Sequence, residues 1–230
     1  MSEVPDNRLT LVFPPLPYFA LARARTALVV VDMQKLDAHP DFGIGAKARS
    51  AGIGHIFDDY WPAVRCALGN QQRLLKAARE AGVPVIYTRI MTQTHDARDA
   101  GNQHRYVGIA VAKDSVDAEI LPEIAPAAGD IVIAKTSSSP FNTTGIHMLL
   151  YNLAVDTLIV CGVVTNGCVE GTVRDASDLG YNVIMVPDAC AAVTAALHQA
   201  AITNLDNAFC NCRSTETVVS ELTRLVAESA

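Results

Sequence analysis

One stretch of this 230-residue chain, residues 156–188, constrains the fold more than any other. Residues 155–161 form a short apolar run rich in branched side chains, which is typical of a strand covered on both faces. From residue 168 to residue 179 the apolar positions recur at helical spacing, Gly180 supplies a stop, and residues 182–186 are apolar again. A strand, a turn, a helix and a second strand in this order predict a βαβ unit and therefore a parallel sheet.

Cys168 falls at the first turn of the helix predicted in this unit. Because the backbone amides of a first helical turn are unpaired and the helix dipole is positive there, the position predicts a thiol shifted towards thiolate. We therefore expect the chemistry of the protein here. Position alone leaves open that the thiol is only a packing residue.

Strand and helix patterns alternate along the rest of the chain. Strands are predicted at residues 26–31, 84–88, 130–134 and 208–212, and helices at residues 62–82, 146–153, 194–205 and 214–225. Residues 33–55 are expected to be loop, and the polar residues 89–129 a lid or a wall of the site with one short helical piece near residues 116–124. The alternation predicts a three-layer, Rossmann-like α/β/α fold with a central, mainly parallel sheet of five to six strands. We expect a single domain over residues 1–230, whose first 25 residues form an irregular arm.

Composition limits the partners of the chain. The net charge of −6 argues against nucleic acid or an anionic membrane surface as a partner. No apolar run approaches the ~18 residues of a membrane span, and the N-terminus has no basic region before an apolar stretch, so we expect neither membrane insertion nor secretion. The six cysteines fall mostly in predicted buried elements, which favours reduced thiols in a cytoplasmic protein. The charged fraction of only 18% favours a homo-oligomer that buries part of this surface.

Three reactive side chains follow three predicted strands. Asp32 follows the first strand, Lys135 the third and Cys168 the fourth. Ligands of open parallel sheets bind outside the carboxyl ends of the strands, so these side chains would converge if the three strands are neighbours. A nucleophile, an acid–base group and a cation together suit acyl transfer.

Four segments resemble the isochorismatase-like cysteine hydrolases. They are ALVVVDMQ around Asp32, IAKTSSSPFNTT around Lys135, GVVTNGCVEGTVRDASDLGY around Cys168, and PDACAAVT further on. The resemblance covers roughly residues 26–215, and the cysteine segment is its most specific part. It implies the isochorismatase-like version of the predicted fold.

The resemblance also implies a role for each matching residue. Cys168 would attack an amide carbonyl and form a thioester, while Asp32 would take the thiol proton, pass it to the leaving amine and later activate water. Lys135 would stabilise the thiolate and orient Asp32. The family carries a cis peptide just before the nucleophile, here Val163–Val164, and the amides of Val164 and Cys168 would form the oxyanion hole.

The chain departs from family patterns in two places. Relatives that hydrolyse nicotinamide bind a metal through an Asp-x-His pair and a further His, and no histidine of this chain has that spacing. We therefore expect no metal and no cofactor. The family often continues Asp-Met-Gln with Asn-Asp-Phe, whereas this chain has Lys35, Leu36 and Asp37, which leaves the aromatic wall of the pocket open.

The implied substrate is a small linear amide, or a ureido or carbamoyl compound of the biuret, ureidoacrylate, maleamate or N-carbamoyl type. A cysteine nucleophile favours cleavage of a C–N bond over that of a vinyl ether. Gln34, Phe141 and Asn142 border the strand ends, and Arg105 and Tyr106 lie in the polar loop, so these five are the candidates for substrate contact.

Three alternatives remain open at this point. They are a nicotinamidase-like, metal-assisted deamidase, an isochorismatase-type vinyl-ether hydrolase, and a non-catalytic binding module on the same fold. The family leads us to expect a dimer or a tetramer. In such an assembly, residues 40–60 and 95–110 could complete the pocket of the same or of a neighbouring subunit.

Overall fold

The fold is described by a computed structural model that covers residues 12–227. Residues 1–11 of the predicted arm lie outside this range, and residues 12–25 form turns and extended chain without a helix or strand. Across residues 12–227, none of the helices combines the length and the apolar character that crossing a membrane requires.

The core of the molecule is a sheet of six parallel strands in the order β3-β2-β1-β4-β5-β6. The strands are β1 Thr26–Val31, β2 Val85–Ile90, β3 Ile131–Lys135, β4 Thr157–Val163, β5 Asn182–Ala191 and β6 Asn211–Cys212. Every residue of β1 and β4 is buried, in keeping with their unbroken apolar sequences. The predicted parallel sheet and its layers of helices are confirmed.

Strand order reverses between β1 and β4, which are direct neighbours. The chain runs outwards from β1 to β3 and then returns to the centre to run outwards again from β4 to β6. Since parallel crossovers are right-handed, the two halves place their connecting helices on opposite faces of the sheet. A crevice therefore opens at the carboxyl ends of β1 and β4, where ligands of such sheets bind.

Nine α-helices accompany the strands in the described part of the chain. They are α1 Lys35–Ala38, α2 Gly43–Ser50, α3 Tyr60–Glu80, α4 Asn102–Tyr106, α5 Pro140–Thr143, α6 Ile146–Asn152, α7 Glu170–Asp178, α8 Ala195–Leu205 and α9 Thr215–Ala227. Two predicted caps are present: the Thr194 hydroxyl accepts the amide of Leu197, and the Ser214 hydroxyl accepts that of Thr217.

Residues 33–55 are not the loop that their sequence predicts. They contain α1, α2 and the start of a short 3₁₀ turn, Gly54–Phe57. Helices this short are held by tertiary contacts rather than by their own periodicity. Gly43, at φ 44°, lets the chain pass so close to Leu36 that a β-carbon there would collide with the Leu36 carbonyl.

The second strand of the βαβ unit is longer than its apolar pattern predicts. Pro187 does not close β5, which continues to Ala191. The pairing of β5 with β4 shifts register between Val160 and Gly162, so the ladder is already irregular where proline lacks an amide to donate. By contrast β6 has two residues, fewer than predicted.

Candidate active site

The three reactive side chains meet at the crevice between β1 and β4. Asp32 directly follows β1, Lys135 is the last residue of β3, and Cys168 lies in the wide turn Thr165–Val169 after β4. The strands before Asp32 and Cys168, β1 and β4, are neighbours, whereas β2 lies between β1 and β3, the strand that ends on Lys135. The length of the lysine side chain bridges that extra strand.

Lys135 connects the other two residues. Its Nζ lies 2.7 Å from Oδ2 of Asp32 and 3.5 Å from Sγ of Cys168, and it donates to the carbonyl of Ser137 at 2.8 Å. The side chain is fully buried; it forms an ion pair with Asp32 and donates hydrogen bonds to Ser137 and Cys168. Burial by itself lowers the pKa of Lys135, but the adjacent Asp32 carboxylate and Cys168 outweigh it and raise that pKa, which keeps the ammonium charged.

Asp32 is fixed by its backbone as well as by its partners. Its φ is 52°, in the left-handed region that a non-glycine residue seldom adopts. Its amide donates to the carbonyl of Thr88 at 3.0 Å, and its Oδ1 accepts the Thr88 hydroxyl at 2.9 Å. Thr88 and Lys135 therefore hold one carboxylate oxygen each, and the side chain is completely buried.

Cys168 does not lie in a regular first helical turn, since α7 begins only at Glu170 and Gly167 has non-helical torsions. The predicted shift towards thiolate is wrong for this state of the site. Burial and the negative charge of Asp32 raise the pKa of Cys168 well above its ordinary value, against the smaller opposing effect of Lys135. Burial and the neighbouring carboxylate therefore favour the thiol form of Cys168.

The peptide bond between Val163 and Val164 is cis. Within residues 12–227, the Val164 amide has no hydrogen-bond acceptor. Just before it, Gly162 has φ 129°, and a β-carbon there would collide with the carbonyl of Val31. Glycine is thus required at position 162, where β4 passes the end of β1, two residues before Val164.

The side chains of Gln34, Phe141 and Asn142 each contact other residues of the protein. The buried side chain of Gln34 bonds three backbone groups, the amide and carbonyl of Ile90 and the carbonyl of Asp117. Phe141 packs against the ring of Tyr181, and Asn142 donates to Asp175 at 2.7 Å.

A cavity of about 460 Å³ adjoins the site on its Lys135 side. It lies between α4, the serine-rich loop after β3, and α7. It is lined by Gly101, Asn102, Gln103, Thr136, Ser137, Ser138, Ser139, Asn142, Thr143, Gly171 and Asp175. Polar residues dominate this lining, and Ser137 is the residue whose carbonyl accepts the Lys135 ammonium.

Helix α4 presents a different residue to the interior than the sequence pattern singles out. Arg105 and Tyr106 are exposed, and Tyr106 retains 85% of its accessible surface. His104 is 1% exposed, and its Nε2 has no hydrogen-bond partner among the described residues. Burial and the nearby Lys135 ammonium lower the pKa of His104, so the imidazole is neutral. The sequence did not distinguish His104 from these two neighbours, because it does not show which residue of the helix faces inward.

Asp37 is a second acidic residue, whose charge acts on Asp32 and Cys168. It lies in α1 and is partly buried, and burial together with the negative charge of Asp32 raises its pKa to about 7. The same carboxyl contributes to the raised pKa values of Cys168 and Tyr60. In the sequence, the one sign of this residue was that Lys35, Leu36 and Asp37 stand where the family often has Asn-Asp-Phe.

Among residues 12–227, no group of three or more His, Cys, Asp or Glu side chains is arranged to hold a metal ion. Two histidines of this part of the chain form hydrogen bonds with hydroxyl groups. Thr165 bonds His198 at 2.8 Å and Tyr181 bonds His147 at 3.0 Å.

The chain is similar to known proteins over most of its length. Residues 26–217 match the family model described as an Isochorismatase domain. An N-carbamoylsarcosine amidase from Arthrobacter is 35% identical over 180 residues, which are 75% of this chain and 66% of the relative. A ureidoacrylate amidohydrolase from Serratia proteamaculans is 30% identical over 90% of this chain and 87% of its own length. The crystal structure of a cysteine hydrolase from Pseudomonas syringae superposes with a TM-score of 0.79 at 31% identity, over 92% of this chain and 98% of that one. The chain belongs to the isochorismatase family.

Proposed function

We propose that this protein hydrolyses a C–N bond of a small linear amide, or of a ureido or carbamoyl compound, through a thioester on Cys168. One observation carries the proposal: a buried ammonium joins the Asp32 carboxylate at 2.7 Å to the Cys168 thiol at 3.5 Å. The relatives named N-carbamoylsarcosine amidase and ureidoacrylate amidohydrolase support amide hydrolysis in general.

The first half of the reaction forms the thioester. Asp32 accepts the thiol proton as sulfur attacks the carbonyl carbon, and the ammonium of Lys135 stabilises the charge that develops on sulfur. The carbonyl oxygen becomes an oxyanion that accepts the amides of Val164 and Cys168. One such donor is typically worth ~2.7–4 kcal/mol of barrier. When the tetrahedral intermediate collapses, the C–N bond breaks and Asp32 returns the proton to the leaving nitrogen.

The second half releases the acid. Asp32 takes a proton from water, the resulting hydroxide attacks the thioester carbonyl, and the C–S bond breaks. The proton then returns from Asp32 to sulfur, so Cys168 is restored as a thiol. The net change is the addition of one water across the C–N bond, and Lys135 stays charged throughout.

The experiment that tests the proposal is ammonia release from a panel of small amides and ureides, including N-carbamoylsarcosine and ureidoacrylate. We compare the wild type with Cys168→Ala and with Cys66→Ala, a matched control at an exposed cysteine. We expect Cys168→Ala to lose at least ~10³-fold in kcat/KM and Cys66→Ala to keep the wild-type rate. An acid quench during turnover should add the acyl mass to the peptide containing Cys168.

Undiminished turnover by Cys168→Ala would exclude the thioester mechanism. In that case the same assay, repeated after dialysis against a chelator, would test for metal-assisted hydrolysis. No ammonia from any member of the panel, with intact wild-type folding, would count against an amidase of this substrate class.

A further inference from the structure

The turn that carries the nucleophile is bound to a distant helix by one buried hydrogen bond. Thr165 directly follows Val164, and its side chain is completely buried. Its hydroxyl forms a hydrogen bond with Nδ1 of His198 at 2.8 Å. The two residues are 33 positions apart in the chain, so this bond joins the turn Thr165–Val169 to α8.

The turn needs such support because it is not a regular helix. Gly167, in its middle, has non-helical torsions. On the α7 side of the turn, the Thr172 hydroxyl donates to the Cys168 carbonyl at 2.6 Å. On the β4 side, the hydroxyl of Thr165 has the equivalent place, but its partner belongs to another element. Each end of the turn is therefore fixed by a threonine hydroxyl, and the end next to the cis peptide depends on α8.

The backbone holds His198 firmly in this place. Helix α8 begins at Ala195, soon after β5 ends at Ala191. Ala191 is the ladder partner of Val163, the residue before the cis bond. In the first turn of α8, the amide of His198 donates to the Thr194 carbonyl at 3.1 Å. Strands β4 and β5 thus pair at their ends and are connected a second time, through α8 and its histidine, to the turn that follows β4.

The surroundings of His198 do not otherwise require a polar residue. The imidazole is half-buried and lines a cavity of about 230 Å³ beyond the end of β5. Much of this lining is small and apolar: Ala63, Ala191, Ala192, Val193 and Ala195. Burial lowers the pKa of His198, so the imidazole is neutral at pH 8 and one of its nitrogens can accept a hydrogen bond. The bond to Thr165 is therefore what distinguishes histidine from an apolar residue at this position.

We propose that His198 is a positioning residue of this site, which acts through the Thr165 hydroxyl to fix the turn that carries the Val164 amide and Cys168. The inference rests on the proposed function and deepens it, because it names a residue outside the triad on which stabilisation of the oxyanion depends. The oxyanion forms only after the substrate has bound, and its donors must already be in place at that moment. Loss of the bond should therefore lower kcat rather than raise KM.

The first test measures kcat and KM at pH 8 on the amide that the wild type cleaves fastest, at a temperature where circular dichroism shows every variant folded. Thr165→Val and His198→Leu each remove one side of the bond, and each should lower kcat by at least about tenfold with KM little changed. The double variant should be no slower than the slower single variant, because no bond is left to break.

Conservative variants separate the bond from the space that the side chains fill. Thr165→Ser keeps the hydroxyl, and His198→Asn places an amide where Nδ1 lies, so both should keep most of the wild-type kcat. Gln199→Leu, at the exposed neighbouring position of α8, is the control for a change on this helix and should behave as the wild type.

The second test does not depend on hydrolysis. Hydrogen–deuterium exchange, read by mass spectrometry on a peptide covering residues 162–170, reports how often the turn opens. We expect this peptide to exchange faster in Thr165→Val and His198→Leu than in the wild type, and at the wild-type rate in His198→Asn and Gln199→Leu. A peptide covering β1 is the control, because a general loss of stability would accelerate exchange there as well.

The two tests separate the two proposals. If no amide is cleaved but exchange in the turn depends on the bond as expected, the proposed function fails and the role of His198 in holding the turn stands. If amides are cleaved and His198→Leu keeps the wild-type kcat, or if His198→Asn loses as much as His198→Leu, the inference is overturned while the amidase stands. Should His198→Leu fail to fold, Thr165→Val, which keeps the shape of the side chain, decides by the same two readouts.

Discussion

At the scale of single residues, Lys135 and Asp32 depend on each other. The lysine is fully buried, and its charge is tolerable only because Asp32 lies 2.7 Å away with an opposite charge. Removing one partner of a buried pair leaves an uncompensated charge, whereas removing both leaves none. The pair is needed for the proposed chemistry, so its contributions to stability and to activity can be separated.

Lys135→Met should be destabilised by about 3–5 kcal/mol, because the Asp32 carboxylate loses its buried partner. The double variant with Asp32→Asn and Lys135→Met should recover most of this loss. Neither variant should retain measurable turnover. Urea unfolding and the ammonia assay measure the two effects, and equal instability of the single and double variants would contradict the argument.

Asp37 should make the free energy of unfolding depend on pH. Its pKa is about 7 in the folded protein against an ordinary value of 3.8, so the native state holds a proton that the unfolded chain has already lost. The stabilisation that the protonated carboxyl contributes is complete below the pKa that Asp37 has in the unfolded chain. It is lost as the pH rises through about 7.

Asp37→Asn keeps its neutral side chain at every pH. As the pH rises from 4 to 8, the free energy of unfolding of this variant should therefore increase relative to that of the wild type by about 1–4 kcal/mol. The increase is smaller where water reaches the carboxylate of the wild type. Since about 1 kcal/mol shifts the Tm of a chain this long by ~2–4 °C, thermal melts at the two pH values measure it. Asp58→Asn is the control, and an identical Tm difference at both pH values would rule the linkage out.

At the scale of elements, α4 closes over the triad with one inward residue. Its start lies against the loop that follows β3, since a β-carbon at Gly101 would collide with the Thr136 carbonyl. Below it, the unpartnered Nε2 of His104 is buried near Lys135. We expect this nitrogen to bond the substrate.

His104→Leu should keep or raise the Tm, because an unpartnered buried nitrogen costs roughly 1–3 kcal/mol that leucine avoids. It should nevertheless lower kcat/KM by at least about tenfold through the lost substrate hydrogen bond. Tyr106→Leu on the exposed side of the same helix should change neither quantity. Full activity in His104→Leu would show that the residue only fills space.

At the scale of the whole molecule, the sheet was predictable because its signal is local. Strands β1 to β4 lie within two residues of their apolar runs, and three strand ends together with the family-like segments around them were enough to nominate Asp32, Lys135 and Cys168. The short helices α1, α2 and α5 carry no period of their own. The directions in which the side chains of Asp37 and His104 point depend on packing between segments that are distant in sequence. A pattern of neighbouring residues carries no information about that packing.

The edge position of β3 has a consequence for the assembled protein. Among residues 12–227, strand β3 pairs with β2 alone, and its residue Val132 is 39% exposed, so we expect this edge of the sheet to open before the centre. In a urea titration, turnover should disappear at a lower concentration than the far-UV circular dichroism signal. Coincident transitions would show that β3 docks as firmly as the centre.

The ammonium that lies beside both Asp32 and Cys168 is thus supplied by an edge strand of the sheet. A copy of the protein in which β3 has not paired with the sheet still has Cys168 and Asp32, but it lacks the Lys135 ammonium between them. A copy that has not completed its sheet is therefore expected to be inactive in the proposed hydrolysis, because the carboxylate and the thiol lack the ammonium that lies between them.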